Sequence, residues 1–104
     1  MYYVYMLRCV DNSLYTGITV DIERRMKEHF TKENNCAKYT LNRAPTKLES
    51  AWKTKNRALA SKLEYHIKKL TKKQKEKLIL NNNLEEFLED KINTNDYEKI
   101  EYKM

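Results

Sequence analysis

Four side chains with the potential for chemistry lie in the N-terminal part of the chain. Tyr5 and Tyr15 belong to two aromatic-rich runs, and Arg25 and His29 follow at a spacing of one helical turn. Tyrosine hydroxyls can move a proton, a guanidinium can hold a phosphate, and an imidazole titrates near neutral pH. The residues alone equally allow a packed aromatic core with a basic rim, so both interpretations stay open at this point.

Two short strands are expected to position the tyrosines. The stretch 2–9 is apolar on both faces, which predicts a central strand covered on both sides. The stretch 14–18 is predicted to pair with it in an antiparallel hairpin, because Asp, Asn and Ser between them favour a tight turn. Gly17 is the only glycine in the chain. It indicates either a special backbone conformation or a close approach that a Cβ would block.

A helix after the hairpin is expected to carry the arginine and the histidine. It runs from about residue 21 to residue 30, and Ile22, Met26 and Phe30 form its buried stripe at every fourth position. Arg25 and His29 lie together on the flank of that stripe. This position directs both side chains back over the hairpin.

The remaining chain alternates between a strand and further helices. Residues 36–43 favour a short helix that ends before Pro45, and residues 47–54 favour a third strand. A long helix is predicted over residues 57–70, and a capping-box pattern at residues 71–74 starts another that continues through Leu80. The last segment, residues 84–104, has the spacing of an amphipathic helix.

Charge is distributed unevenly along the 104 residues. The net charge is +6, but residues 1–83 carry a balance of +10 and residues 84–104 a balance of −4. A basic body is typical of proteins that bind nucleic acid phosphates, although a solvated lysine-rich surface gives the same count. The acidic tail either competes with DNA for this body or simply stabilises the fold.

Cysteine usage and hydropathy indicate an intracellular protein. Cys9 and Cys36 have no metal-ligand spacing, so reduced, partly buried thiols are expected rather than a disulfide or a zinc site. No apolar run approaches the ~20 residues of a membrane span. We therefore expect a cytoplasmic protein with no membrane partner and no small-molecule cofactor.

The motifs together resemble the GIY-YIG nuclease family. Tyr3, Val4 and Tyr5 stand in place of GIY, and Tyr15, Thr16 and Gly17 stand in place of YIG. Residues 21–29 match the helix that carries the family's arginine and histidine, and Glu64 aligns with its metal-binding glutamate. The likeness covers about residues 2–80. It is strongest to the small single-domain bacterial-type members, which are related to the N-terminal domain of an excinuclease.

The resemblance implies a fold and an activity. The expected fold is α/β (α+β), with a small three-stranded antiparallel sheet flanked by helices. Residues 1–83 would form the nuclease-like domain and residues 84–104 an acidic extension. The expected activity is that of a metal-dependent endonuclease, which hydrolyses phosphodiester bonds in DNA. Its substrate would be selected by DNA structure or by a repair-protein partner, and its setting would be repair or recombination. The alternatives are an inactive nucleic-acid-binding module and a protein-interaction domain.

The resemblance also implies roles for individual residues. Tyr5 would deprotonate the attacking water and Tyr15 would orient it, or the reverse. Arg25 would stabilise the charged phosphoryl group, and His29 would relay the proton or hold the phosphate. Glu64 would hold one divalent cation, Mg²⁺ or Mn²⁺. DNA backbone contacts are expected from four residues near the cleft: Lys38, Tyr39, Arg43 and Lys68.

Three departures from the family pattern are visible. Tyr3 replaces the first glycine, and Val4 and Thr16 replace the two central isoleucines. An asparagine that closes the site in some members has no clear match. The residues that the chemistry requires are all present.

Overall fold

A four-stranded antiparallel sheet forms the centre of the protein. The computed structural model describes residues 1–31, 44–81 and 83–102. The strands lie in the order β2-β1-β3-β4. Their bounds are β1 Tyr2–Cys9, β2 Leu14–Thr19, β3 Pro45–Thr54 and β4 Glu98–Ile100. The α+β class is confirmed, but the prediction of three strands was wrong. The fourth strand is too short to show an alternation in the sequence.

Helices cover both faces of this sheet. They are α1 Ile22–Thr31, α2 Arg57–Lys69, α3 Lys72–Asn81 and the short α4 Leu84–Leu88, and a 3₁₀ turn follows at Thr94–Asp96. Within the described ranges, no helix is long and apolar enough to cross a membrane. The helix predicted over residues 36–43 lies outside the described residues, as does Cys36.

Side-chain caps explain where the helices begin. Asp21 accepts a hydrogen bond from the backbone nitrogen of Arg24 at 3.1 Å, and Asn56 accepts one from Leu59 at 2.9 Å. Before α3, Thr71 and Gln74 each accept from the other's backbone nitrogen, at 3.1 and 2.9 Å. The predicted capping box is therefore confirmed.

Strand β1 is buried on both faces, as expected of a central strand. Val4 and Met6 pack with the apolar residues of α2, α3 and α4. Tyr5 and Leu7 pack on the opposite face with the buried stripe of α1. The alternation of β1 thus places Tyr5 under α1 and leaves α2 on the other side of the sheet.

The acidic C-terminal segment contributes to the core. Its predicted long helix is wrong, since α4 ends at Leu88, yet the segment buries four apolar side chains: Leu84, Leu88, Ile92 and Tyr97. The Tyr97 hydroxyl donates to the carbonyl of Leu59 at 2.7 Å, and Thr54 donates to the carbonyl of Asp96 at 2.8 Å. A domain boundary after residue 83 remains a prediction.

An ion-pair network ties α3 to the sheet. Arg8 of β1 pairs with Glu49 of β3 at 2.9 Å and with Glu76 of α3, to which Lys72 also donates at 2.8 Å. The hydrogen bond from Arg8, strengthened by Lys72, lowers the pKa of Glu76 from its ordinary value of 4.5 to about 2.

We expect Glu76→Gln to destabilise the protein by roughly 0.5–1 kcal/mol near neutral pH, because Arg8 loses a charged partner at a partly exposed site. A carboxylate with a lowered pKa stabilises the fold above its unfolded pKa, and this contribution is lost as the pH falls from about 4.5 to about 2. The difference between wild type and variant, measured by urea unfolding, should shrink over that range. The exposed Glu89 provides the control, since Glu89→Gln should leave stability unchanged. A difference that persists at low pH would refute this account.

Candidate active site

The Tyr5 hydroxyl lies at the centre of a buried polar cluster between the sheet and α1. It shares a hydrogen bond with Nε2 of His29 at 2.9 Å. Nε of Arg25 donates to the same oxygen at 3.3 Å. Both Tyr5 and His29 are fully buried. The structure therefore brings together three of the side chains that the sequence predicts for the site.

Tyr15 completes the cluster from β2. The ring centroids of Tyr5, Tyr15 and His29 form a triangle with sides of 5.5, 5.6 and 6.2 Å. These distances are within the range of favourable aromatic contacts, so the rings hold one another in place. The hairpin register sets the arrangement, because Tyr15 lies opposite Leu7 and Gly17 lies opposite Tyr5.

Gly17 is required by the close approach of the Tyr5 ring. A Cβ on Gly17 would lie 2.6 Å from the Tyr5 hydroxyl oxygen, 2.8 Å from its Cζ and 3.0 Å from Cε2 of Tyr15. Its φ angle is not positive, so any residue could adopt the backbone conformation. Of the two roles that the sequence left open for this glycine, the structure supports close approach.

Helix α1 presents Arg25 and His29 one turn apart, facing the hairpin as predicted. Nη1 of Arg25 also donates to the Glu28 carboxylate at 2.9 Å, and the Glu28 side chain is only 12% exposed. Glu28 was not singled out from the sequence, where it reads as an ordinary helix carboxylate. Its role is to hold the guanidinium in place beside Tyr5.

Burial and the Arg25 charge determine the resting protonation states. Burial raises the pKa of the Tyr5 hydroxyl well above its ordinary value of 10, and the hydrogen bond from Arg25 offsets only part of this effect. Burial, with the nearby Arg25 charge, lowers the pKa of His29 to about 4. At neutral pH the pair is a protonated tyrosine beside a neutral imidazole.

Glu64 comes from a different element, α2. That helix packs on the opposite face of the sheet and contacts the edge strand β2. The Glu64 carboxylate is 23% exposed and pairs with Lys68 at 3.3 Å. The described part of the chain holds no group of three or more His, Cys, Asp or Glu residues placed to bind a metal. One accessible carboxylate fits a hard cation that keeps most of its waters.

The predicted DNA-contacting residues are only partly described. Lys38, Tyr39 and Arg43 lie outside the described residues. Lys68 is exposed on α2. Burial lowers the pKa of Lys75, and the nearby charges of Lys72 and Lys68 lower it further. These lysines form a basic surface on α2 and α3.

Sequence reasoning missed a cleft beside Arg25. The cavity measures about 540 Å³, and its lining includes Arg24, Arg25 and Arg57. The adjacent pair at positions 24 and 25 was the only signal in the sequence. Arg57 joins them only because α1 and α2 begin at the same end of the sheet.

Comparison with known proteins identifies the class. The GIY-YIG catalytic domain matches residues 1–77, and the chain belongs to the GIY-YIG family. The catalytic domain of this family is that of a nuclease.

Similar proteins are small single-domain members. The UPF0213 protein CPE1444 of Clostridium perfringens is 47% identical over 89% of this chain and 99% of its own length. The UPF0213 protein YhbQ of Salmonella typhimurium is 44% identical over 75% of this chain and 76% of its own. The solution NMR structure of the UPF0213 protein BH0048 from Bacillus halodurans is 40% identical, with a TM-score of 0.51, and covers 78% of this chain and 85% of that one.

We expect Gly17→Ala to destabilise the protein by roughly 1–3 kcal/mol, because the added methyl displaces the Tyr5 ring from its packed position. Urea unfolding measures the cost. In a Tyr5→Leu background, which lacks both the hydroxyl and Cζ, the same change should cost much less. Equal costs in the two backgrounds would show that the contact with Tyr5 is not the reason for the glycine.

We expect stability to fall as the pH decreases from about 6.5 to about 4, since the unfolded His29 binds a proton before the folded one does. The loss is roughly 1–3 kcal/mol after allowing for solvent screening. His29→Gln should remove most of this dependence in urea unfolding. His66, the other histidine, is partly exposed on α2, so His66→Gln should leave the dependence unchanged. A full pH dependence in His29→Gln would contradict the assignment.

Proposed function

We propose that this protein is a metal-dependent endonuclease that hydrolyses phosphodiester bonds in DNA. The observation that carries the proposal is the Tyr5 hydroxyl held between the Arg25 guanidinium and the His29 imidazole, at 3.3 and 2.9 Å. This cluster lies within a chain that matches the family's catalytic domain. The side chains supply a proton acceptor, a proton relay and a phosphate-binding cation in one place.

The proton path that we propose runs from water through Tyr5 to His29. Tyr5 holds its own proton at rest, so it accepts one from the attacking water only by passing its own to Nε2 of His29. The neutral imidazole makes this transfer available, provided that Nε2 is the unprotonated nitrogen. The water oxygen then bonds to phosphorus and the bond to the 3′ oxygen breaks. Solvent protonates that oxygen, and His29 releases its extra proton, through Tyr5, to restore the resting state. Tyr15 orients the water beside the ring cluster.

Arg25 has two tasks in this scheme. Its charge favours the transient phenolate of Tyr5, which compensates in part for the burial that disfavours it. It also stabilises the charge that builds up on the phosphoryl oxygens. Because a guanidinium stays protonated at any working pH, both effects are constant over the physiological range.

Glu64 would hold the divalent cation, Mg²⁺ or Mn²⁺. The cation, when bound, acts as a Lewis acid at the phosphate and its leaving oxygen. To hold it, Glu64 would have to give up its ion pair with Lys68, and that lysine would then be free to contact the DNA backbone.

The proposed enzyme selects its DNA substrate by structure or through a protein partner. Its proposed setting is repair or recombination in the cytoplasm. The balance of +10 in residues 1–83 supports binding to phosphates, and phosphate contacts carry no sequence information. A second candidate is a module that binds nucleic acid without cutting it. The protonated state of Tyr5 and the ion pair that engages Glu64 favour that alternative.

The decisive experiment is cleavage of single-stranded, duplex, flap, fork and junction DNA with Mg²⁺ or Mn²⁺. We expect Arg25→Ala, Glu64→Ala and Tyr5→Phe each to reduce the rate by about 10²–10³, the usual effect of removing one such group. Lys62→Ala, which removes an exposed charge from α2, should cleave like wild type. Circular dichroism and urea unfolding establish that each variant is folded.

The alternatives give different results. Cleavage that survives both Arg25→Ala and Glu64→Ala would refute the nuclease assignment. Salt-sensitive binding without cleavage of any substrate would favour the non-cutting module. Affinity for DNA that does not weaken with salt would favour a protein-interaction domain.

A further inference from the structure

The cleft beside Arg25 is formed where three strand ends meet two helix starts. Tyr2 at the start of β1 lies opposite Thr54 at the end of β3, and Tyr3 lies opposite Thr19 at the end of β2. Helices α1 and α2 begin within three residues of those strand ends. Arg24 of α1 and Arg57 of α2 therefore face one cavity from its two sides.

The charges of this cleft favour an anion. Arg24 and Arg57 are exposed and pair with no carboxylate among residues 1–31, 44–81 and 83–102. Glu28 also lines the cleft, but its carboxylate is engaged by Arg25. An incoming phosphate would thus be repelled from the Glu28 side and attracted to the two outer guanidinium groups, which can each form bidentate bonds with it.

The remaining lining consists of Thr19 and three apolar or aromatic side chains. Tyr2, Ile18 and Val20 line the cavity, and Val20 is 54% exposed although it is aliphatic. A volume of about 540 Å³ is within the usual range of small-molecule sites, about 300–1,000 Å³. Aromatic and aliphatic walls next to cationic groups suit a nucleotide, because its base stacks on a ring while its phosphate meets arginine.

The cleft is continuous with the Tyr5 cluster, and this continuity indicates where a bound nucleotide would lie. Arg25 lines this cleft and also donates to the Tyr5 hydroxyl, so the two sites share one guanidinium. We propose that the cleft binds the nucleotide adjacent to the cut phosphate, with Arg24 and Arg57 on its flanking phosphate and Tyr2 against its base. This inference rests on the proposed nuclease function for the identity of the strand, but the binding itself is independent of cleavage.

Binding in EDTA tests the arginines separately from catalysis. The probe is a fluorescent single-stranded oligonucleotide of roughly ten nucleotides, measured by anisotropy at several salt concentrations. The double variant Arg24→Ala/Arg57→Ala should bind about tenfold more weakly, and the slope of log affinity against log salt should fall by about 0.7 for each phosphate that is no longer neutralised. The matched control Lys62→Ala/Lys73→Ala removes the same charge from exposed positions outside the cleft and should stay within about twofold of wild type.

Tyr2 tests the base-binding part. Tyr2→Phe keeps the ring and should bind like wild type, whereas Tyr2→Leu should weaken binding severalfold. An abasic oligonucleotide should bind wild type and Tyr2→Leu equally. If Tyr2→Leu binds the normal oligonucleotide as well as wild type does, no base occupies the cleft and the proposal is wrong.

Failure of this inference differs from failure of the proposed function. Equal losses of affinity in the arginine double variant and its lysine control would refute nucleotide binding in the cleft, even if Arg25→Ala abolishes cleavage. A specific loss of binding in the arginine variant would support the cleft, even if no DNA is ever cut.

Discussion

The close approach of the Tyr5 ring to the backbone of Gly17 is the constraint on which the rest of the site depends. With no side chain at position 17, the Tyr5 hydroxyl lies where a methyl would otherwise be, 2.6 Å from that Cβ position. The ring is then held in one orientation, in contact with Tyr15 and beneath α1. In this orientation one oxygen meets both Arg25 and His29. The cluster therefore forms only if three features are compatible: the glycine at position 17, the hairpin register and the rotation of α1 about its axis.

The same burial that orders the site works against its proposed chemistry. Removing Tyr5 and His29 from water stabilises the neutral form of each, so the resting pair has no net charge. Arg25 provides the opposing effect, and Glu28 fixes Arg25 without displacing its hydrogen bond to Tyr5. A buried neutral pair beside a fixed cation is the resting arrangement from which the proposed proton transfer would start.

Local patterns made the hairpin, α1 and the capping box predictable from sequence. Each of these features depends only on residues that are close together in the sequence: the polar turn at residues 11–13, the apolar stripe of α1 and the Thr71–Gln74 pair. The proximity of Tyr5, Arg25 and His29 also followed, because one register and one helical turn fix it. The apolar residues on both faces of β1 correctly predicted a central strand that is covered on both sides.

Features that depend on distant segments could not be predicted in this way. Strand β4 exists because β3 offers it an edge, and its three residues carry no periodicity of their own. The C-terminal helix stops at Leu88, yet Ile92 and Tyr97 beyond it still reach the core, and the sequence does not mark that stop. The arginine cleft is set by where α2 begins relative to α1, which no local spacing encodes.

The position of β1 in the sheet has a consequence for synthesis on the ribosome. All four clustered side chains belong to residues 5–29, which are made before β3, but β1 needs β3 as its second neighbour, from residues 45–54. The outer edge of β3 is then covered by residues 98–100, which are made later than β3 itself. Pairing over such sequence separations is slow, and domains complete it only when the later segments are available. A nascent chain therefore carries the four clustered side chains before the sheet that holds them in place is complete.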